Sequence, residues 1–116
     1  MKEVVLIVGA LGIGLLIGAF MPLTIPAAWS KYVAVAILAA LDTGLGGIRS
    51  GLENRFDLSV FISGVSANTL LAAGLTFLGD KLGIDLYLAA IVVFGVRIFE
   101  NLAKIRRLLL GRFWAT

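Results

Sequence analysis

The sequence predicts an all-α membrane protein, a polytopic bundle of four transmembrane helices with a parallel repeat of two helical hairpins as its candidate organisation. Three observations carry this. Hydrophobic residues make up 60% of the 116 residues and charged residues 15%, with a mean hydropathy of +1.06. A soluble domain carries about 25% charged residues, so this chain is too apolar to cover a water-facing surface. The apolar residues fall into segments of bilayer-crossing length, and Lys and Arg are divided unequally between the loops.

The first span covers 4–21, without a charge, about 27 Å as a helix, which crosses a hydrocarbon core. Glu3 follows Lys2, the run exceeds a signal-peptide core, and "MPLTIPAAWS" holds no small-x-small cleavage pattern. The segment therefore reads as a retained helix, ended by Pro22 and Pro26. The second span, 32–48, is interrupted only by Asp42, and the third, 58–78, is polar only through Ser, Asn and Thr. The fourth, 86–103, continues as a basic helical tail over 104–116. A three-span alternative lays this last helix on the inner surface. All four segments form one domain, 1–116.

With four spans, Lys2, Arg49, Arg55, Lys104, Arg106, Arg107 and Arg112 share one side, and Lys31 and Lys81 the other. Seven against two predicts a multi-pass protein of the cytoplasmic (inner) membrane with both termini in the cytoplasm. Trp29, Tyr32 and Tyr87 then fall at the outer interface, where amphipathic rings are favoured.

"ILAAL" (37–41) and "GIRSGLEN" (47–54) are echoed by "YLAAI" (87–91) and "GVRIFEN" (95–101). An offset of two spans gives the halves the same orientation, related by an axis along the membrane normal. Asp42 precedes Arg49 by the same interval at which Ala90 precedes Arg97, so the repeat holds one carboxylate and no symmetric dyad.

The chain has no cysteine and no histidine, which removes thiol nucleophiles, thiolate metal sites and the commonest general base. A non-enzymatic protein without metal or cofactor is expected. Asp42-Thr43-Gly44 matches the aspartic-protease triplet, but that chemistry needs two carboxylates sharing a proton. "GALGIG" (9–14) fails the G-x-G-x-x-G spacing of a dinucleotide loop. Ala10, Gly14 and Gly18 instead recur as a smooth helix face, and Ser59, Ser63 and Ser66 make a similar stripe. Such faces let helices approach closely in lipid, within one chain or between copies. Gly46 and Gly47 read as further close-packing points.

The candidate polar site is Asp42 with Arg49, Ser66, Asn68, Arg97, Glu100 and Asn101. An ionised Asp at mid-membrane costs about 2.5–3.5 kcal/mol on insertion scales, so Asp42 must face protein or water, be paired, or be protonated. Ser66 and Asn68 lie at its depth; Arg49, two turns on, lies beyond direct reach; Arg97 is another partner. A polar clamp, an ion or proton site and a partner-binding role stay open. On the tail, Glu100 and Lys104 form a favourable i,i+4 pair. Lys104, Arg106, Arg107 and Arg112 read as an anchor on anionic inner-leaflet lipid, or as a docking face for another helix. Nucleic acid is not expected.

"LAALDTGLGGIRSGLE", "FISGVSANTLLAAGLTFLGD" and "GIDLYLAAIVVFGVRIFENLAKIRR" resemble the small basic protein family of mainly Gram-positive bacteria, over about 5–108. The positions that match best are Asp42, Gly46, Gly47, Arg49, Asn68, Asp80, Arg97, Glu100 and Asn101. The resemblance implies a small integral membrane protein of unassigned biochemical function, often encoded beside cell-division and cell-envelope genes, with no catalytic residue to carry over. The expected role is a scaffold or assembly component, acting with itself or with cell-envelope or division proteins. The alternative is a small oligomeric transporter or channel subunit built around Asp42.

Overall fold

A computed structural model describes residues 2–22 and 24–114, the side chains of 113 and 114 excepted, so the end of the basic tail (115–116) lies outside the described residues. Four helices account for almost all of it: α1 (Lys2–Phe20), α2 (Ser30–Leu52), α3 (Leu58–Leu82) and α4 (Tyr87–Trp114), with a 3₁₀ turn at Ala27–Trp29 before α2. The described residues contain three segments long and apolar enough to cross a membrane, Lys2–Phe20, Ala27–Leu52 and Leu58–Leu82. Helix α4 is longer, at 28 residues, but Arg97, Glu100 and Lys104 interrupt its apolar stretch.

Local chemistry sets the helix ends. Asp57 caps α3, its Oδ1 accepting from the amides of Ser59 at 2.9 Å and Val60 at 3.4 Å, which satisfies two otherwise orphaned donors. Asn54, at φ 59°, turns the chain between α2 and α3 in the left-handed region that Asn tolerates. Gly83 ends α3 at φ 72°, where a side chain would be strained. The α3–α4 turn then folds over Gly79 so closely that a Cβ there would collide with the Ile84 carbonyl and sit 3.0 Å from the Leu86 amide.

Helix α2 is the centre of the bundle and packs against each of the other three. Val4, Ile7 and Leu11 of α1 sit over Gly51, Gly47 and Gly44 of α2, so α1 runs antiparallel to it. Asp42 meets Asn68 and Lys31 meets Asp80, making α3 antiparallel as well. Lys31 lies over the Tyr87 ring, Asp42 meets Arg97 and Arg49 meets Asn101, so α4 runs parallel to α2. The start of α1 and the ends of α2 and α4 thus share one end of a molecule 55 × 29 × 24 Å in extent.

Two apolar clusters hold the bundle. Val35, Ala39, Ala72, Ala90 and Phe94 join α2, α3 and α4 at one level. Val4, Ile48, Leu52 and Ile105 join α1, α2 and the α4 tail at the other. The tail therefore stays on the bundle, and Arg112 donates from Nη2 to the Leu52 carbonyl at 2.9 Å, a cation on the negative end of α2.

Within the chain, close approach is made by the α2 glycines, with Val4, Ile7 and Leu11 of α1 and Phe61 of α3 supplying the bulky side chains. At Gly47 a Cβ would lie 2.6 Å from the Phe61 ring and 2.8 Å from Ile7. The Ala10–Gly14–Gly18 face has no such neighbour: Gly14 and Gly18 have nothing within 4 Å of a Cβ position, and Ala10 is exposed. Ser59, Ser63 and Ser66 are exposed too, and Ser63 turns its hydroxyl back to the Val60 carbonyl at 3.0 Å. Only the first turns of α1 are anchored; residues 12–20 are all exposed.

Candidate functional site

Between the two apolar clusters α2 carries Asp42, 1% exposed. Arg97 reaches its Oδ2 from α4 at 3.3 Å, and the Asn68 amide donates to the same oxygen from α3 at 3.5 Å. All three helices thus converge on one carboxylate oxygen. Oδ1 has no hydrogen-bond partner among the described residues, and the neighbouring buried Thr43 hydroxyl has none either. The Arg97 side chain is 48% exposed, so the pair is open on the arginine side. Removing Arg97 then costs about 1–3 kcal/mol, less than the loss of a partner from a fully buried pair.

Nearer the termini, two turns along α2 from Asp42 and one along α4 from Arg97, Arg49 donates from Nη1 to Asn101 Oδ1 at 3.2 Å and lies 3.4 Å from Glu53. Arg55 closes the layer by donating to Glu53 at 2.6 Å. That hydrogen bond, ahead of the charge of Arg49, holds the Glu53 carboxyl below the usual carboxylate value. At the opposite end Lys31 pairs with Asp80 at 3.0 Å and Asp85 at 3.7 Å, both at the surface.

Two clefts lie along these layers. A cleft of about 260 Å³ runs from Asp42, Thr43 and Asn68 along Gly46, Gly47 and Gly64 to Arg55 and Asp57. Its charged lining is two arginines, Arg55 and Arg97, against two aspartates, Asp42 and Asp57. A second, of about 250 Å³, lies between α2 and α4 at Arg49, Glu53, Arg97, Glu100 and Asn101. The described residues hold no group of three or more carboxylates that could take a metal ion.

The expected polar set is thus brought together with one exception. Asp42, Asn68 and Arg97 form one layer, and Arg49, Asn101 and Glu100 the next. Ser66 is exposed, because two residues along a helix is more than half a turn and Asn68 takes the inward position. Glu100 and Lys104 make no ion pair among the described residues; both are exposed, and a solvated pair gains too little to hold two long side chains together. Gly46 faces the Asn101 amide at an ordinary 3.7 Å. Lys104, Arg106, Arg107 and Arg112 are exposed. Sequence reasoning missed Thr43 as a site residue and Gly44 and Gly51 as packing points. The three- and four-residue spacing of Gly44, Gly47 and Gly51 was the signal that could have found them.

The fold and site define the class: a small all-α bundle with three helices long and apolar enough to cross a membrane and a half-buried ion pair between α2 and α4. The chain belongs to the family described as "Protein of unknown function (DUF1290)", whose model matches residues 25–110. It is 52% identical over 101 residues to the "Small basic protein" of Bacillus subtilis (strain 168), covering 87% of this chain and 84% of that one. It is 41% identical over 106 residues to an uncharacterized protein of Mycobacterium tuberculosis (strain ATCC 25618 / H37Rv), covering 90% and 88%. No solved structure matches it significantly.

Proposed function

We propose that the protein is a non-enzymatic, multi-pass component of the cytoplasmic membrane that assembles with further copies of itself through α1. The observation that carries this is the contrast between two glycine faces. Gly44, Gly47 and Gly51 of α2 are met by side chains of α1, joined at Gly47 by Phe61 of α3, whereas Gly12, Gly14 and Gly18 have nothing within 4 Å of a Cβ position. In lipid no hydrophobic force joins helices, so a small-residue face gains energy only where another helix lies close against it. A second copy carries the same face at the same depth, which makes the contact self-complementary. Four spans are supported by the parallel packing of α4 along α2: a helix that stays beside a spanning neighbour crosses with it. The seven-to-two division of Lys and Arg favours cytoplasmic termini.

The chain is naturally free of cysteine, so Gly14→Cys gives a unique crosslinking site. Oxidation in native membranes is expected to yield a disulfide-linked dimer, with none from Gly64→Cys in the α2–α3 cleft. Exclusively monomeric protein after scanning cysteines through residues 12–20 would sink assembly through α1. Adducts only to other envelope proteins would replace self-assembly with a scaffold for those partners.

A second reading, a transporter or channel subunit, draws on the unpartnered Oδ1 of Asp42. Flux in reconstituted vesicles that is abolished by Asp42→Asn would favour it over a purely structural role.

A further inference from the structure

Arg97 is level with Asp42 and Asn68, near the middle of the helices that carry them, yet half of its side chain is exposed. Among the described residues its ion pair is with Asp42 alone, which leaves most of its five N–H donors unused. An arginine at that depth of a bilayer is costly against lipid tails and faces protein or a water-filled space. The space it faces is the two polar clefts, of about 260 and 250 Å³, both of which it lines.

These clefts lead to one end of the bundle. Beyond Asp42, α3 and α4 close on α2 through Ala72, Ala90 and Phe94 against Val35 and Ala39. Toward the termini the apolar cluster joins α1, α2 and α4 and leaves α3 out. The larger cleft therefore runs along α3 from Asn68 through Gly64 to Asp57, with Gly46 and Ser50 of α2 on its other wall. Asp57 and Asn68 are eleven residues apart, about 16 Å along a helix, or about half of a 30 Å hydrocarbon core. Glycine keeps the passage open: a Cβ on Gly64 would meet nothing within 4 Å.

The passage stops at Arg97. Asp42 Oδ1 and Thr43 Oγ1 are buried behind it. The cleft of about 240 Å³ on the far side, between α3 and α4, is lined by Leu71, Leu75, Val93 and Phe94, which offer water no hydrogen bonds. Thr76, buried at that level, spends its hydroxyl on the Ala72 carbonyl at 2.8 Å.

We infer that the two polar clefts form an aqueous vestibule, open only at the end of the bundle where the termini gather, that carries water to Arg97 at mid-membrane depth. Hydration from that one side is what allows the guanidinium to stand half exposed there. The vestibule rests on the four-span arrangement proposed above, and it is independent of assembly through α1.

The test is the reactivity of single cysteines in the full chain, which has none of its own, toward a membrane-impermeant thiol reagent. Sealed membrane vesicles of both orientations are used. Arg106→Cys marks the side of the termini and Ser30→Cys the other side. Gly64→Cys and Gly46→Cys, one on each wall, are expected to react with reagent on the side of the termini. Ile62 matches Gly64 in depth but lies on another face of α3, where it is 54% exposed. Ile62→Cys is expected to react at least about tenfold more slowly, because the reacting thiolate forms in water and not among lipid tails. Leu71→Cys and Leu75→Cys, beyond Arg97, are expected to be as slow from either side. Gly64→Cys and Gly46→Cys no faster than Ile62→Cys would overturn the vestibule, since lipid tails or a partner helix then fill the clefts. Fast reaction of Leu71→Cys or Leu75→Cys, or of Gly64→Cys from the side of Ser30, would overturn its closure at Arg97. Should one glycine variant fail to fold, the other decides the matter. The two markers separate this outcome from a failure of the span arrangement: both reacting from one side would undo the four spans, and the vestibule with them.

Discussion

Gly47 and Gly14 both sit inside helices, yet only one is held by its surroundings. A Cβ on Gly47 would press into Phe61 and Ile7, whereas one on Gly14 meets nothing. Gly47→Val is therefore expected to lower stability by about 1–3 kcal/mol through overpacking. Gly14→Ala is expected to leave it unchanged or raise it by up to about 1 kcal/mol through helix propensity. Thermal unfolding followed by circular dichroism in detergent micelles separates the two. Asp42 and Arg97 form the other residue-scale test. Because they touch at 3.3 Å, Asp42→Asn and Arg97→Gln are expected to be non-additive, with a coupling of about 0.5–3 kcal/mol in a double-mutant cycle. Additivity would mean that the pair contributes nothing to holding α4 on α2. Asp42 and Arg97 were legible in the sequence because charges are rare in its apolar segments. Their pairing was one option among several, since which α4 residue comes level with Asp42 depends on how α2 and α4 slide along each other.

The helices depend on their ends to different degrees. Helix α3 begins at a side-chain cap, Asp57, and Asp57→Ala is expected to cost about 1 kcal/mol while Asp57→Asn retains most of the cap. The turn before it carries Glu53, whose carboxyl Arg55 holds below the ordinary 4.5. A depressed folded value contributes stability that is present above the unfolded value and lost as pH falls through the folded one. The α2–α3 turn is thus expected to loosen below about pH 4.5, and Glu53→Gln should flatten that acid dependence. Hydrogen exchange of the Asn54 and Arg55 amides, which bond to Gly51 and Ser50, reads it directly. These boundaries follow from local signals such as Pro22, Asn54, Asp57 and Gly83. The faces of α1 did not follow: Ala10, Gly14 and Gly18 repeat as regularly as Gly44, Gly47 and Gly51, yet only the α2 glycines are covered. A periodic stripe states that a helix has a face and is silent about which neighbour reaches it.

Across the whole molecule, Lys2, Arg112 and the α2–α3 turn lie at one end, and Lys31, Asp80 and Tyr87 at the other. Single cysteines at Ser30 and Arg106 are expected to differ in intact cells. A membrane-impermeant thiol reagent should label Ser30→Cys alone, and Arg106→Cys only after lysis. Labelling of both in intact cells would place the C-terminus outside and undo the four-span arrangement. The alternation of α1 to α4 and the parallel run of α2 and α4 are what a duplication of helical hairpins would leave. The pairing of Arg49 with Asn101 joins the two similar segments directly.

Composition and pattern alone determined the all-α class, the number of long helices, their approximate limits and the short list of polar residues. Each of these is a property of a segment meeting its solvent: too few charges for water, runs long enough for lipid, and breakers where the runs stop. Tertiary structure decided the rest. It made α2 the hub, put its glycines rather than those of α1 to use, turned Ser66 outward and Asn68 inward, and matched Asp42 with Arg97. Those outcomes depend on the rotation and offset of each helix against another. Van der Waals contact and ion-pair geometry set them between segments far apart in the chain.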